Sequence, residues 1–179
     1  MVFSAGATTI TFNGLVNTNF TPLVSPYVES TYTVTPTVGT WFEAHNFGNP
    51  VPSIFATSAS ATVRVQNSTI SPFLFSSVDL ADAGGGGATY LIEGKLGGST
   101  MFSITDGALP GSFLTVPNTS PLQPVDALFI TLFRAVASYN IDNIVLQQVP
   151  EPSALAVVGF GAIALTVFRR RKITTARKD

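Results

Sequence analysis

Between residues 8 and 148 apolar side chains recur in short runs, often at every second position. Thr8–Gly14 sets Ile10 and Phe12 on one side of an extended chain. Thr31–Thr35 does the same for Tyr32 and Val34, and Thr62–Gln66 for Val63 and Val65. Phe73–Leu80, which follows Pro72, and Thr89–Leu96, Ser99–Thr105, Ala127–Phe133 and Tyr139–Leu146 complete the set. A period of two, rich in β-branched and aromatic residues, predicts half-buried strands. No stretch of this region has a convincing helical period. Short strands at roughly ten-residue spacing predict an all-β sandwich or barrel. Between strands, Lys95–Ser99 reads as a tight Gly-Gly hairpin turn. Gly84–Gly87 reads as a flexible hairpin connection; it lacks the Gly-Lys-Ser/Thr ending of a phosphate loop and no helix follows. Leu109–Pro124 holds four prolines and reads as a long surface connection with at most one short strand, 112–116.

The pattern changes at residue 149. Val149-Pro150-Glu151-Pro152-Ser153 leads into an uncharged apolar run from Ala154 to Phe168, followed by Arg169, Arg170, Arg171 and Lys172. As a helix the run spans about 22 Å, short of the roughly 30 Å hydrocarbon core. Flanking residues and snorkelling arginines extend its reach. The basic end belongs on the cytoplasmic side, with the body outside. Two prolines around Glu151 bar a helix there and keep the segment extended and accessible.

This three-part layout resembles the PEP-CTERM sorting signal of Gram-negative bacteria, whose full Val-Pro-Glu-Pro-Ser form stands at 149–153; Gly159 and Gly161 in the helix also suit it. The same tail is known as an ice-binding protein C-terminal domain, a name that says nothing about ice binding here. The resemblance implies that a membrane exosortase recognises the tail and cleaves near Pro150–Pro152. The precursor is then anchored in the inner membrane, and the product goes to the cell surface or outside, often in exopolysaccharide producers. The stretch from Ser77–Ala81 to Tyr139–Val145 resembles the jelly-roll-like β-sandwich of many proteins with this tail, which often end in an Ile-Asp-Asn-Ile strand, here Ile141–Ile144. The expected fold is thus an antiparallel jelly-roll-like β-sandwich followed by a single C-terminal hydrophobic, transmembrane helix. Its divisions are a sandwich domain, 8–148, and a sorting tail, 149–179, made of motif 149–153, helix 154–168 and basic end 169–179. Residues 1–7 read as a candidate remnant of a signal peptide: Ala5-Gly6-Ala7 has the form of a cleavage site, and the expectation is that basic and apolar regions precede it.

Composition narrows the chemistry. The 179 residues contain no Cys and one His, which removes disulfides, thiolate nucleophiles and multi-histidine metal centres. Only 11% are charged, against roughly 25% in a typical soluble domain. Residues 1–152 carry Arg64, Lys95 and Arg134 against nine carboxylates, while six of the last eleven residues are basic. An acidic body is a poor partner for nucleic acid.

Two constellations could hold a ligand. Trp41-Phe42-Glu43-Ala44-His45-Asn46-Phe47 sets aromatic rings that could stack on a sugar beside Glu, His and Asn that could bond its hydroxyls, with Trp41, Glu43 and His45 as the candidate contacts. The plainer alternative is a strand with alternate core aromatics and His45 at a polar rim. Asp79, Asp82 and Asp142 supply the oxygen chemistry of a structural calcium site, against solvated strand positions. No pairing argues for a catalytic centre: no Gly-x-Ser-x-Gly is present, and no spacing selects two glycosidase carboxylates. The expectation is an exported, non-catalytic surface or extracellular-matrix protein with a structural or interaction role. The alternatives are a carbohydrate-binding module for exopolysaccharide and a permanently membrane-anchored protein. Solvent-exposed aromatic side chains on one sandwich face or loop rim would favour the carbohydrate-binding module.

Overall fold

The computed structural model describes residues 6–69, 71–84, 87–133 and 138–149. The motif residues Pro150, Glu151, Pro152 and Ser153, the helix expected over 154–168, the basic cluster Arg169–Lys172 and most of the N-terminal segment lie outside them. Among the described residues no helix is long and apolar enough to cross a membrane. The elements are β1 (Ala7–Ile10), β2 (Tyr27–Glu29), β3 (Tyr32–Val38), β4 (Trp41–Ala44), β5 (Ser53–Ala56) and β6 (Ser60–Asn67). There follow β7 (Phe73–Ala81), β8 (Thr89–Leu96), β9 (Ser99–Asp106), β10 (Leu114–Pro117), β11 (Ala127–Phe133) and β12 (Tyr139–Gln148).

They form two antiparallel sheets. The first runs β10-β7-β12-β5-β4, with β1 beside the C-terminal half of β12. The second runs β2-β3-β6-β11-β8-β9. The alternation read from the sequence sorts the faces as expected. Val34, Val63, Val65, Ile92, Leu128 and Ile130 from the second sheet are buried, as are Trp41, Ile54, Phe75, Leu80, Tyr139 and Ile141 from the first. All twelve belong to one core. Ring pairs join the layers: Tyr32 meets Phe73 edge-on at 5.5 Å, and Phe75 stacks on Phe102 at 6.1 Å. Each such side chain contributes about 1.5–3 kcal/mol of burial. The body is therefore a β-sandwich.

Two sequence expectations are corrected in detail. The glycine run does not close a hairpin: the strand before it, β7, lies in the first sheet and the strand after it, β8, lies in the second. Glycine signals a turn but not which sheet the chain enters next. The short strands β2 and β5 escape a period-two reading because each has only three or four residues, while β4 is the strand weighed as the plainer alternative for Trp41 and its neighbours. The β8–β9 turn is as read: Gly97 and Gly98 take φ of 57° and 83°, the left-handed pair a two-residue hairpin requires.

Gly94 is a different kind of glycine. It faces Phe102 across the β8–β9 ladder, and a Cβ there would lie 2.2 Å from the Phe102 ring and 2.7 Å from Val125. Phe102 fills the space that a side chain would take. Gly94→Ala should therefore destabilise the sandwich by about 1–3 kcal/mol through overpacking. A denaturant midpoint unchanged from wild type would contradict this packing.

Candidate ligand cleft on the first sheet

Register fixes what the first sheet shows on its outer side. Trp41, Ala56 and Tyr139 form one inward row, with Trp41 and Tyr139 rings 6.3 Å apart. The next row must face outward: Phe42, Phe55, Asn140 and Ala81 stand side by side across β4, β5, β12 and β7. Two positions along, Asp142 and Asp79 face each other, with Thr115 beyond on β10.

Two loops cover this face. Residues 20–23 run along the edge of β4: Phe20 N–H donates to Glu43 C=O at 3.1 Å, and Leu23 N–H to Trp41 C=O at 2.8 Å. Phe20 has a φ of 65° and remains 66% exposed. Its ring stands edge-on to Phe55 at 4.9 Å and 6.3 Å from Phe42. The second loop follows β4 and carries Asn46, Phe47 and Asn49. Between the loops lies a cleft of about 270 Å³, lined by Phe20, Phe47 and Phe55 with Asn19, Asn46 and Asn140; Ala44, Ala83 and Ser138 complete it. Phe47 is braced from behind by Phe113, stacked at 5.0 Å.

Buried carboxylates hold both loops. Glu43 is 1% exposed. Its oxygens accept from the Asn17 side chain at 2.7 Å and the Asn17 N–H at 3.2 Å, and His45 Nε2 lies 3.0 Å away. Burial pushes its pKa up, but these partners and the charge of His45 outweigh burial and hold it below the ordinary value. The N–H of His45 donates in turn to Asn19. Asp142 accepts from the N–H groups of Asn49, at 2.6 Å, and Asn143, at 2.8 Å. Asp79 accepts from the side chains of Asn49 at 3.0 Å, Asn143 at 2.9 Å and Thr115 at 2.6 Å.

The residues singled out by sequence are thus redistributed. Trp41 sits in the core at 2% exposure, its indole N–H on Val38 C=O, and offers no ring to a ligand. Glu43 and His45 position the loop that carries Asn19 and Phe20 instead of lining the cleft. The expected trio of Asp79, Asp82 and Asp142 does not assemble. Asp79 and Asp142 meet, whereas Asp82 accepts from the N–H groups of Gly84 and Ala88 and closes the inter-sheet turn. Among the described residues no group of three or more acidic or histidine side chains is placed to hold a metal ion. Of the lining residues, Ala44, Asn46 and Phe47 belong to the stretch marked by sequence, whereas Phe20, Phe55 and Asn140 do not. These three come from one loop and two strands, and no local spacing joins them.

Comparison with known proteins agrees with this architecture. Residues 148–172 match the PEP-CTERM protein-sorting motif, and that signal marks an exported protein. No curated protein matches the chain in sequence. Among solved structures, the CBM22-1 xylan-binding domain of Paenibacillus barcinonensis Xyn10C superposes with a TM-score of 0.50 at 12% identity, over 84% of this chain and 99% of that domain. Its likeness shows the shared fold. Two larger proteins also resemble the chain. The enzymatically active domain of bacteriophage CBA120 tailspike protein 4 gives a TM-score of 0.46 at 14% identity over 67% of this chain. The CBM22-1–GH10 modules of the Clostridium thermocellum xylanase Xyn10B give 0.45 at 12% identity, also over 67%. The chain spans 20% and 26% of these two structures.

The Asp142 carboxyl gives the site a pH signature. Burial pushes it up from 3.8 to about 6, with the N–H groups of Asn49 and Asn143 opposing and the charges of Asp79 and Glu29 adding. A carboxyl with a raised folded pKa holds its proton more tightly in the fold. Its contribution is complete below about pH 4 and is lost as the pH rises through about 6. Glu43, shifted downward, acts in the opposite sense and at lower pH. The melting temperature should therefore fall between about pH 4 and 6, and Asp142→Asn should flatten that slope. An equal slope in both proteins would refute the assignment.

Proposed function

We propose that the sandwich is a non-catalytic carbohydrate-binding module, delivered to the cell surface or exterior by exosortase processing of its tail, with exopolysaccharide as its partner. Phe20 is the observation that carries this reading. A bulky residue at positive φ costs about 1–2 kcal/mol, and here the side chain is not buried in return. The ring gains only its contacts with Phe55 and Phe42 and stays 66% exposed, and backbone held at such a cost for so little burial points to function. An exposed ring beside a cleft of aromatic and amide side chains suits sugar, whose apolar faces stack on rings and whose hydroxyls bond to amides. The structural or matrix role that composition alone favours gives Phe20 no task. A fold shared with a domain described as xylan-binding is compatible with the reading and does not identify the ligand.

Binding of the full chain in detergent to a panel of oligosaccharides tests this directly. Phe20→Ala should weaken the best ligand by roughly tenfold or more while the protein stays folded. Equal affinity in the variant, or no glycan bound by the wild type, would count against the module. Sorting has its own test. In the native host the protein should end near Pro150–Pro152, in the outer or extracellular fraction, by intact mass. A chain ending at Asp179 in the inner membrane would mean that the tail is a permanent anchor.

A further inference from the structure

We propose a second and separate ligand site on the outer face of the second sheet, which takes a carboxylated sugar unit, a uronate, with Arg64 holding the carboxylate. Val63 and Val65 enter the core, so Arg64 between them turns outward. It stands in one row with Thr35 on β3, Phe129 on β11 and Glu93 on β8. Of its guanidinium nitrogens only Nε is buried, and it has no hydrogen-bond partner. The two Nη groups stay accessible, and among the described residues the guanidinium forms no hydrogen bond or ion pair. The carboxylate of its row, Glu93, lies two strands away and stands 4.0 Å from Lys95 Nζ, which also lies over the Phe129 ring at 5.1 Å. A cation taken partly out of water without a partner is costly. A guanidinium edge with two free N–H groups matches the two oxygens of a carboxylate.

What lies beside Arg64 sets the rest of the ligand. One step along the same face Thr33 pairs with Gln66. These two line a cavity of about 410 Å³ together with Asn67, Ser68 and Asp126, within the range of small-molecule sites, about 300–1,000 Å³. Its lining is hydroxyl, amide and carboxylate, which suits the hydroxyls of a sugar. Asp126 accepts from the Gly97 N–H at 2.7 Å, and its charge repels an anion from the cavity. The acid group is thereby turned toward Arg64 and the hydroxyls toward Thr33, Gln66 and Ser68. A uronate carries both kinds of group on one ring. The cleft on the first sheet offers aromatic rings and amides instead, so the two sites read different features. A neutral oligosaccharide has no group for the Arg64 fork.

Calorimetric titration of the full chain in detergent tests the site, with trigalacturonate, a neutral galactose trisaccharide and a triglutamate peptide as probes and amide-shift mapping to place each one. Trigalacturonate should bind with shifts at residues 33–35, 64–68 and 126–129, and its affinity should fall with added salt. Arg64→Gln should weaken it about tenfold without changing the melting temperature, and Arg64→Lys, which keeps the charge and loses the fork, should recover only part of the loss. A purely structural Arg64 would instead lower the melting temperature and leave the affinity unchanged. No binding of trigalacturonate, binding untouched by Arg64→Gln, or shifts confined to residues 17–20 and 44–49 overturns the site and leaves the first-sheet cleft to its own test. Equal binding of triglutamate overturns the assignment to a sugar acid.

Discussion

Alternation along β12 is the constraint on which the rest depends. Tyr139 and Ile141 must enter the core, because their apolar surfaces complete the contact between the sheets. A strand that turns two neighbours inward turns Asn140 and Asp142 outward. The packing of the sandwich therefore decides that two polar side chains stand in the middle of the first sheet's outer face. They share it with Phe55 and Phe42 on one side and Asp79 on the other. A one-residue slip of β12 would bury both polar groups among hydrocarbon, so the register of the core and the chemistry of the face are one decision.

Polar groups on a covered face need partners, and the loops supply them. On that face Asp142 and Asp79 gather the N–H groups and amides of Asn49 and Asn143; Glu43, in the inward row with Ile54 and Ile141, gathers those of Asn17. The same bonds set the walls of the cleft, because Asn46 and Phe47 precede Asn49 and Asn19 and Phe20 follow Asn17. A fourth carboxylate works in this way elsewhere: Glu29 accepts from Thr11 and Phe12 N–H and from the Tyr27 hydroxyl, tying the end of β1 to β2. In an acidic body with few cations, these carboxylates act chiefly as acceptors for backbone and amide N–H, and Glu43 alone of the four also meets a basic side chain, His45. That use fits charged oxygens, since such bonds are stronger than neutral ones.

Much of the fold was legible in the chain. Val63, Val65, Tyr32 and Val34 declare their faces by period alone, and Gly97-Gly98 declares its turn. The tail is legible because Val149–Ser153, the apolar run and the arginines form an ordered signal whose parts are contiguous. The cleft was not legible for the opposite reason. Asp79 and Asp142 become neighbours only through the β7–β12 ladder, and Phe20 reaches Phe55 only through a left-handed residue and a loop bonded to β4. Trp41 misleads because a large aromatic beside Glu and His has the same local sequence in a core as in a binding site. Only the rows of the sheet distinguish the two.

The central claim is that the outer face of the first sheet is the ligand surface. Backbone amide chemical-shift mapping of the labelled chain, titrated with a neutral oligosaccharide, tests it most directly. The account predicts perturbations confined to residues 17–20, 44–49, 53–55 and 138–142. Shifts concentrated instead on the outer face of the second sheet, around Arg64, Lys95 and Phe129, would contradict it.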